Sequence, residues 1–441
     1  MEKLKNSDVS KKLNYGIEDK PKTLIQILLG FQHIFAAFGG IIVVPIVISA
    51  ALKFDIKTST ALISSAILMA GVATFIQSRK IGPVGAKIAC VMGTDFTFVA
   101  PAIAVGSKYG LPGILGATIL GGVFVIILSF FIKPLMKLFP PIVTGTVVTL
   151  IGLTLIPVAM DWAAGGSGSK DYGSLKNIGI SLFIMMITLL INHYGKGLIS
   201  SASVIIGMFV GYLICIPLGM VNFASVASAS FISLPQILAH GVNFRLDAAL
   251  PFIPAYLVST IGTVGCIKAI GEVSKVKLDD KRIGAGVLSD GVGSMLAGFF
   301  GAMPNTSFSQ NIGLISLTKV ASRYVTMMAG IILVVLGLLP KFAALIYIMP
   351  QPVLGGVGIV MFGTVAAAGI QSLSKVKISN RNLLIMATSI GLGLGVTFRP
   401  DFLAKLPDAL KMIFSSGIST GTIVALFLNL ILKEDKASSK E

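Results

Sequence analysis

Apolar runs of about 20 residues, the length a helix needs to cross the hydrocarbon core of a bilayer, recur along nearly the whole chain. They fall near residues 24–50, 58–78, 84–106, 111–132, 138–160, 177–195, 198–221, 247–269, 284–302, 305–319, 322–340, 343–370, 382–398 and 413–432. Of the 441 residues 54% are hydrophobic and only 12% charged, too little polar surface to keep a core of that size in water. In lipid every backbone N–H and C=O must be satisfied within the chain. The pattern therefore predicts an all-α polytopic membrane protein of about fourteen transmembrane segments.

The formal net charge of +17 does not imply a nucleic-acid partner, because Lys and Arg fall in short clusters between the apolar runs rather than along one face. Arg79-Lys80, Lys275 to Arg282 and Lys375 to Arg381 are examples. Threading the spans alternately with the N-terminus inside leaves about 25 basic residues on the inner side and about 10 outside. A multi-pass protein of the cell's inner (plasma) membrane with both termini cytoplasmic is expected. Met1 to Pro21 is polar and Lys-rich, which excludes a cleaved signal peptide and suggests a cytoplasmic tail. Cys90, Cys215 and Cys266 all sit in apolar runs without Cys-x-x-Cys or Cys/His spacing, so neither a disulfide framework, a metal site nor a cofactor is expected.

One stretch is polar where its neighbours are not. Met303-Pro304-Asn305-Thr306-Ser307-Phe308-Ser309-Gln310-Asn311-Ile312-Gly313 opens on residues that resist helix, since Pro lacks a donor and Asn, Thr and Ser bond their own backbone. At bilayer depth such a backbone survives only buried in protein or lining a cavity. It has an echo. Thr94-Asp95-Phe96-Thr97 resembles Thr306-Ser307-Phe308-Ser309, and Pro140-Pro141-Ile142-Val143-Thr144-Gly145 resembles Pro350-Gln351-Pro352-Val353-Leu354-Gly355, both at offsets near 210. About seven spans per half is an odd number, so the second half inserts upside down. Two inverted repeats are expected, with short extended stretches in spans 3 and 10 meeting near the midplane.

An extended stretch leaves backbone N–H and C=O groups free for a flat polar ligand, and the half-helix after it aims a positive N-terminus at the same point. Phe96 and Phe308 would cover the ligand's faces, Gln310 would offer its edge a donor and an acceptor, and Ser309 lies in the same stretch. A nucleobase fits that description. Core packing is the plainer role for either Phe, and an interhelical hydrogen bond for Gln310. Asp95 and Asp290 sit in apolar runs, where an unpaired carboxylate is costly to ionise, making both candidates to bind and release a proton. Asp95 is the one expected to couple transport to protons; a structural pairing with Lys87, Lys268 or a helix end is the alternative. Lys268 and Glu272, one turn apart, read as an interfacial pair.

Gln310-Asn311-Ile312-Gly313 with Thr318-Lys319 resembles the signature of the nucleobase/ascorbate transporter family, Gln/Glu/Pro-Asn-x-Gly-x4-Thr followed by a variable residue. Gly286-Val287-Leu288-Ser289-Asp290-Gly291, Gln32-His33 and Pro350 to Gly356 support it, so the resemblance runs from about Thr23 to Lys433. It implies a core of spans 1–4 (residues 23–132) and 8–11 (247–340), a gate or scaffold of spans 5–7 (133–246) and 12–14 (341–433), tails 1–22 and 434–441, and a homodimer. Gln310 is similar to the substrate-binding amide of xanthine and uric acid carriers, Asn311 to the neighbouring affinity-setting residue, and Asp290 to the ninth-span Asp; His33 is similar to a residue that shapes the site and joins Asp95 and Asp290 as a proton-coupling candidate, a hydrogen bond tying span 1 to span 8 being the alternative. Phe96 and Phe308 fall where members place aromatic or backbone contacts. One departure stands out: purine carriers of the family read Glu-Thr-Ile-Gly-Asp in span 8, where this chain has Ser259-Thr260-Ile261-Gly262-Thr263, so Ser259 can hydrogen-bond a substrate but cannot carry a proton.

The resemblance implies a secondary active transporter that imports a purine nucleobase, xanthine or uric acid, by proton symport with alternating access. Alternatives are a uracil or other nucleobase carrier, Na⁺ coupling or facilitated diffusion, and an anion channel of related fold. No His/Asp/Glu cluster at ligand spacing, no Gly-x-Ser-x-Gly elbow and no Gly-x4-Gly-Lys-Ser/Thr loop is present, which argues against an enzyme and against direct ATP drive.

Overall fold

A computed structural model describes residues 13–234 and 236–432; residues 1–12 of the expected N-terminal tail and the tail 434–441 lie outside them. The first half comprises α1 (Thr23–Ala51), α2 (Ile56–Arg79), β1 (Met92–Thr94), α3 (Val99–Leu128), α4 (Pro141–Ala163), α5 (Leu175–Tyr194) and α6 (Ser203–Cys215). The second comprises α7 (Phe252–Val273), α8 (Asp280–Phe299), β2 (Asn305–Ser307), α9 (Ile312–Thr318), α10 (Arg323–Gly337), α11 (Pro340–Tyr347), α12 (Gln351–Leu373), α13 (Asn380–Phe398) and α14 (Gly417–Ile431). Among the described residues eight helices are long and apolar enough to cross a membrane, and α10 with α11, bent by 82°, would make a ninth. Expected spans 84–106 and 111–132 share the one long helix α3, kinked at Gly110, and the other four are shorter, broken or polar: α6, α8, β2 with α9, and α14.

Helix starts follow local chemistry. Asp55 caps α2 by accepting from Thr58 N at 2.7 Å, Asp279 caps α8 through Arg282 N at 2.9 Å, and Pro141 opens α4 where its missing N–H costs nothing. Long helices cross where glycines let backbones touch. A Cβ on Gly71 of α2 would lie 2.6 Å from Gly330 O of α10, and one on Gly122 of α3 would lie 2.6 Å from Met295 N of α8. Gly330 and Gly291 face back onto Gly71 and Gly122, so the same glycine-on-glycine crossing occurs twice, span 2 against span 11 and span 9 against span 4. In the other group of helices Gly152 of α4 sits on the Ala366 backbone of α12, and Gly369 of α12 on the Thr149 backbone of α4.

Both broken spans open as strands. β1 and β2 pair antiparallel, with Met92 opposite Ser307, Gly93 opposite Thr306 and Thr94 opposite Asn305. β1 leads through Asp95 and a tight turn over Phe96–Phe98 into α3, and β2 leads into α9. Each half-helix ends in a second break. In α3 it is Gly110, at φ 66° and ψ −169° just before Pro112; after α9 it is Lys319 in the left-handed region at φ 60°. An antiparallel strand pair flanked by equivalent breaks is the geometry of two oppositely inserted halves.

Candidate functional site

The residues around the two strands form one buried polar network. Asp290 of α8 accepts hydrogen bonds from Thr263 and, at 3.4 Å, Thr306 on one carboxylate oxygen, and from Ser307 at 3.1 Å on the other. Ser259 donates to Thr306 at 2.8 Å and also faces the Asp95 carboxylate. Thr263 lies 3.2 Å from Thr306. Ser259, Thr263 and Cys266 share one face of α7 at helical spacing, which lays their side chains along the strands; Cys266 Sγ donates to Phe308 O at 3.4 Å. Gln77 of α2 closes the network from behind, donating to Gly286 O at 3.3 Å and Ser307 Oγ at 3.2 Å while accepting from Ala86 N at 2.9 Å.

Asp95 Oδ1 accepts from Thr97 N at 2.9 Å and Thr97 Oγ1 at 2.8 Å, so its carboxylate caps the turn after β1. Neither lysine considered as its partner reaches it: Lys87 pairs with Glu18 at 3.0 Å, and Lys268 Nζ points at Met136 Sδ, 3.5 Å away, rather than at Glu272. Phe96 is buried and meets Phe362 of α12 edge-on, ring centroids 5.3 Å apart, so the site touches the second group of helices there. Phe308 is buried with its ring seated on Gly40 and Gly93, where a Cβ would come within 3.1 Å and 2.9 Å of it. Asn311 Nδ2 lies 2.9 Å from His33 O and 3.0 Å from His33 Nδ1. An amide nitrogen only donates, so Nδ1 accepts and the ring proton sits on Nε2. Asn311 Oδ1 is buried without a partner among the described residues, whereas Ser309 and Gln310 are exposed.

A model of a permease family matches residues 24–402. The chain is 65% identical to a putative purine permease, CPE0397, of Clostridium perfringens over 99% of this chain and 96% of that protein. It is 40% identical to the xanthine permease of Bacillus subtilis (91% and 92% covered) and 40% identical to the uric acid transporter UacT of Escherichia coli (92% and 85%). This chain belongs to that permease family. The permease also shares its fold with the transmembrane domain of the cyanobacterial bicarbonate transporter BicA, at TM-score 0.59 and 14% identity over 89% of this chain and 100% of that one. A murine SLC26A9 anion transporter matches at TM-score 0.63 and 12% identity, 94% and 68% covered. At such identities the likeness is one of fold alone.

Within the permease, sequence reading missed Gln77, the Thr263 and Thr306 hydroxyls as partners of Asp290, and Phe362 behind Phe96. A Gln in an ordinary apolar helix carries no local mark, and a Thr ligand is visible only once β2 lies beside α7. Among the described residues no group of three or more His, Cys, Asp or Glu side chains could hold a metal ion.

Proposed function

We propose that this permease imports a purine nucleobase, xanthine or uric acid, with Gln310, Ser309, Asn311, Phe96, Phe308 and Ser259 around the substrate. The observation that carries the reading is the pairing of β1 with β2, which brings Asp95-Phe96 and Phe308-Gln310 from opposite halves to one polar centre. Gln310 is free to offer a donor and an acceptor to a base edge, and the unpartnered Asn311 Oδ1 is a further acceptor. The names of the relatives agree. The test is uptake of radiolabelled xanthine into proteoliposomes, competed by a nucleobase panel at two pH values. Saturable uptake competed by purines supports the carrier, and ion conduction indifferent to nucleobases would replace it with a channel. Gln310→Ala is expected to weaken uptake affinity about tenfold, the loss of one to two good hydrogen bonds. Gly93→Ala should do about the same by driving a methyl into Ile41 and the Phe308 ring, at roughly 1–3 kcal/mol.

The hydroxyl chain supports proton symport. With both span-8 carboxylates replaced, the donors still run in one direction, Ser259 to Thr306 to Asp290, and a protonated Asp95 would feed Ser259. Asp95, Asp290 and His33 are the proton-coupling residues in this reading, with His33 held to Asn311 through Nδ1 and its carbonyl oxygen. Imposed pH and Na⁺ gradients separate proton coupling from Na⁺ coupling and from facilitated diffusion. Alternating access would be rocking of the core, residues 23–132 and 247–340, against the scaffold, residues 133–246 and 341–433, across contacts such as Phe96 with Phe362. The scaffold helices α5 and α13 bury few of their residues within one copy, which supports a homodimer in the plasma membrane through that face. Both termini would lie in the cytoplasm.

A further inference from the structure

Two clusters outside this site each combine a carboxylate, an arginine and a tyrosine. In the first, Glu18 Oε2 accepts from Arg323 Nε and lies 3.0 Å from Arg323 Nη2, while the guanidinium sits 4.3 Å over the Tyr324 ring. In the second, Asp247 accepts from Arg245 Nε at 3.0 Å, from Arg245 Nη2 at 3.1 Å and from the Tyr109 hydroxyl, while Arg245 sits 4.7 Å over the Tyr109 ring. Each is an acid, an arginine and a tyrosine, bonded and stacked.

The acids and the tyrosines correspond in chain position; the arginines do not, Arg323 adjoining Tyr324 and Arg245 lying two residues from Asp247. Glu18 stands five residues before Thr23, the first residue of α1, and Asp247 five residues before Phe252, the first residue of α7. These helices open the two halves. Tyr109 directly precedes the break at Gly110, and Tyr324 follows the break at Lys319–Ser322. The leading segment of each half thus crosses onto the broken span of the other. Backbone bonds do the same: Asn14 N to Lys319 O at 2.8 Å and Ala321 N to Tyr15 O at 2.9 Å in one cluster, Asn243 N to Pro112 O at 2.9 Å in the other. The clusters lie at opposite ends of α1, since Glu18 precedes its start while Leu52, just past its end, packs on Gly106, one turn from Tyr109.

We propose that Glu18–Arg323–Tyr324 and Asp247–Arg245–Tyr109 are a matched pair of latches, one on each membrane face. Each pins the far end of one broken span so that the near ends, carrying Asp95-Phe96 and Phe308-Gln310, meet the substrate in fixed register. Glu18 and Asp247 are positioning residues, and their role rests on the nucleobase-carrier reading above. Every partner belongs to, or leads directly into, a helix that meets or flanks the strands, so in this proposal the latches stay closed through the cycle and are not gates. Burial raises the Glu18 carboxyl, but its bonds to Lys87 and Arg323 outweigh that and hold it below the usual carboxylate range; the Arg245 and Tyr109 bonds hold Asp247 well below it. A depressed acid keeps its contribution above its unfolded value and loses it only as pH falls through the folded one, so both latches persist through neutral pH.

The test uses the full chain in proteoliposomes. Glu18→Gln and Asp247→Asn are each expected to raise the half-saturation concentration about fivefold to tenfold, with maximal rate and protein yield unchanged, and Glu18→Asp to retain most of the affinity. A disulfide between Asn14→Cys and Thr318→Cys, whose parent residues touch through Asn14 Nδ2 and Thr318 O at 3.0 Å, should restore affinity in the Glu18→Gln background. Unaltered half-saturation in both neutralised variants overturns the proposal, as does a disulfide that stops uptake by the otherwise native chain. Labelling of Gln310→Cys by a water-soluble maleimide reads the same positioning without substrate and should quicken when Glu18 is neutralised. If the native chain carries no nucleobase while that labelling rate still shifts, the carrier reading fails and the latch stands; an unchanged rate sinks the latch alone.

Discussion

Asp95→Asn should abolish concentrative, pH-dependent uptake, a loss of at least about tenfold in the accumulation ratio at an inward proton gradient, while exchange of labelled for unlabelled substrate continues. The amide keeps the acceptor for Thr97 N and Thr97 Oγ1, so the turn over Phe96–Phe98 stays capped and the fold is preserved. What it removes is the titrating group at the head of the hydroxyl chain. Ser259→Ala is the companion experiment. It leaves both carboxylates but takes away the hydroxyl between Asp95 and Thr306, and should give the same uncoupled exchange. Full concentrative uptake by Asp95→Asn would move the coupling site elsewhere, with buried Asp290 the other carboxylate of the network. Uncoupling by Asp95→Asn but not by Ser259→Ala would mean that the proton is exchanged with water or substrate rather than along the hydroxyls.

Gly122→Val should leave almost no folded protein in the membrane. Its side chain would enter the α8 backbone, with a Cβ already 2.6 Å from Met295 N and 2.8 Å from Gly291 O. Backbone cannot move aside as a flexible side chain can, so the cost is about 3 kcal/mol or more, a large share of the stability of any domain. Gly71→Val should fail equally, because Gly330 O and Val334 N are each 2.6 Å from the added carbon. Gly262→Ala is the control: a Cβ there meets nothing within 4 Å, and yield and melting temperature should hold. A Gly122→Val protein of native yield and melting temperature would show that α3 and α8 separate more readily than their glycine contact implies.

Some of the site was legible because its chemistry is local. Pro304, Asn305 and Thr306 cannot prolong a helix whatever surrounds them, so an irregular segment inside an apolar run was readable, and its echo around Asp95 suggested where a partner lay. Gln310 and Asn311 were legible through the motif. Their environments were not. Asn311 turns its amide to His33, Gln310 stays exposed, and Ser259 donates to Thr306. Each outcome depends on a residue far away in sequence that arrives only when α1, α7 and β2 pack together.

What the sequence by itself determined is the class of molecule and its two-fold plan: the hydropathy demands spans, the odd number per half demands inversion, and the Pro304-Asn305-Thr306 opening demands a break. Only the tertiary structure decided the strand register, the hydroxyls around Asp290 and the crossing of each leading segment onto the opposite half. The physical reason is range. Hydrophobicity and backbone preference act within a few residues and are written in the local pattern. A hydrogen bond between Ser259 and Thr306, or an ion pair between Glu18 and Arg323, depends on where whole helices come to rest.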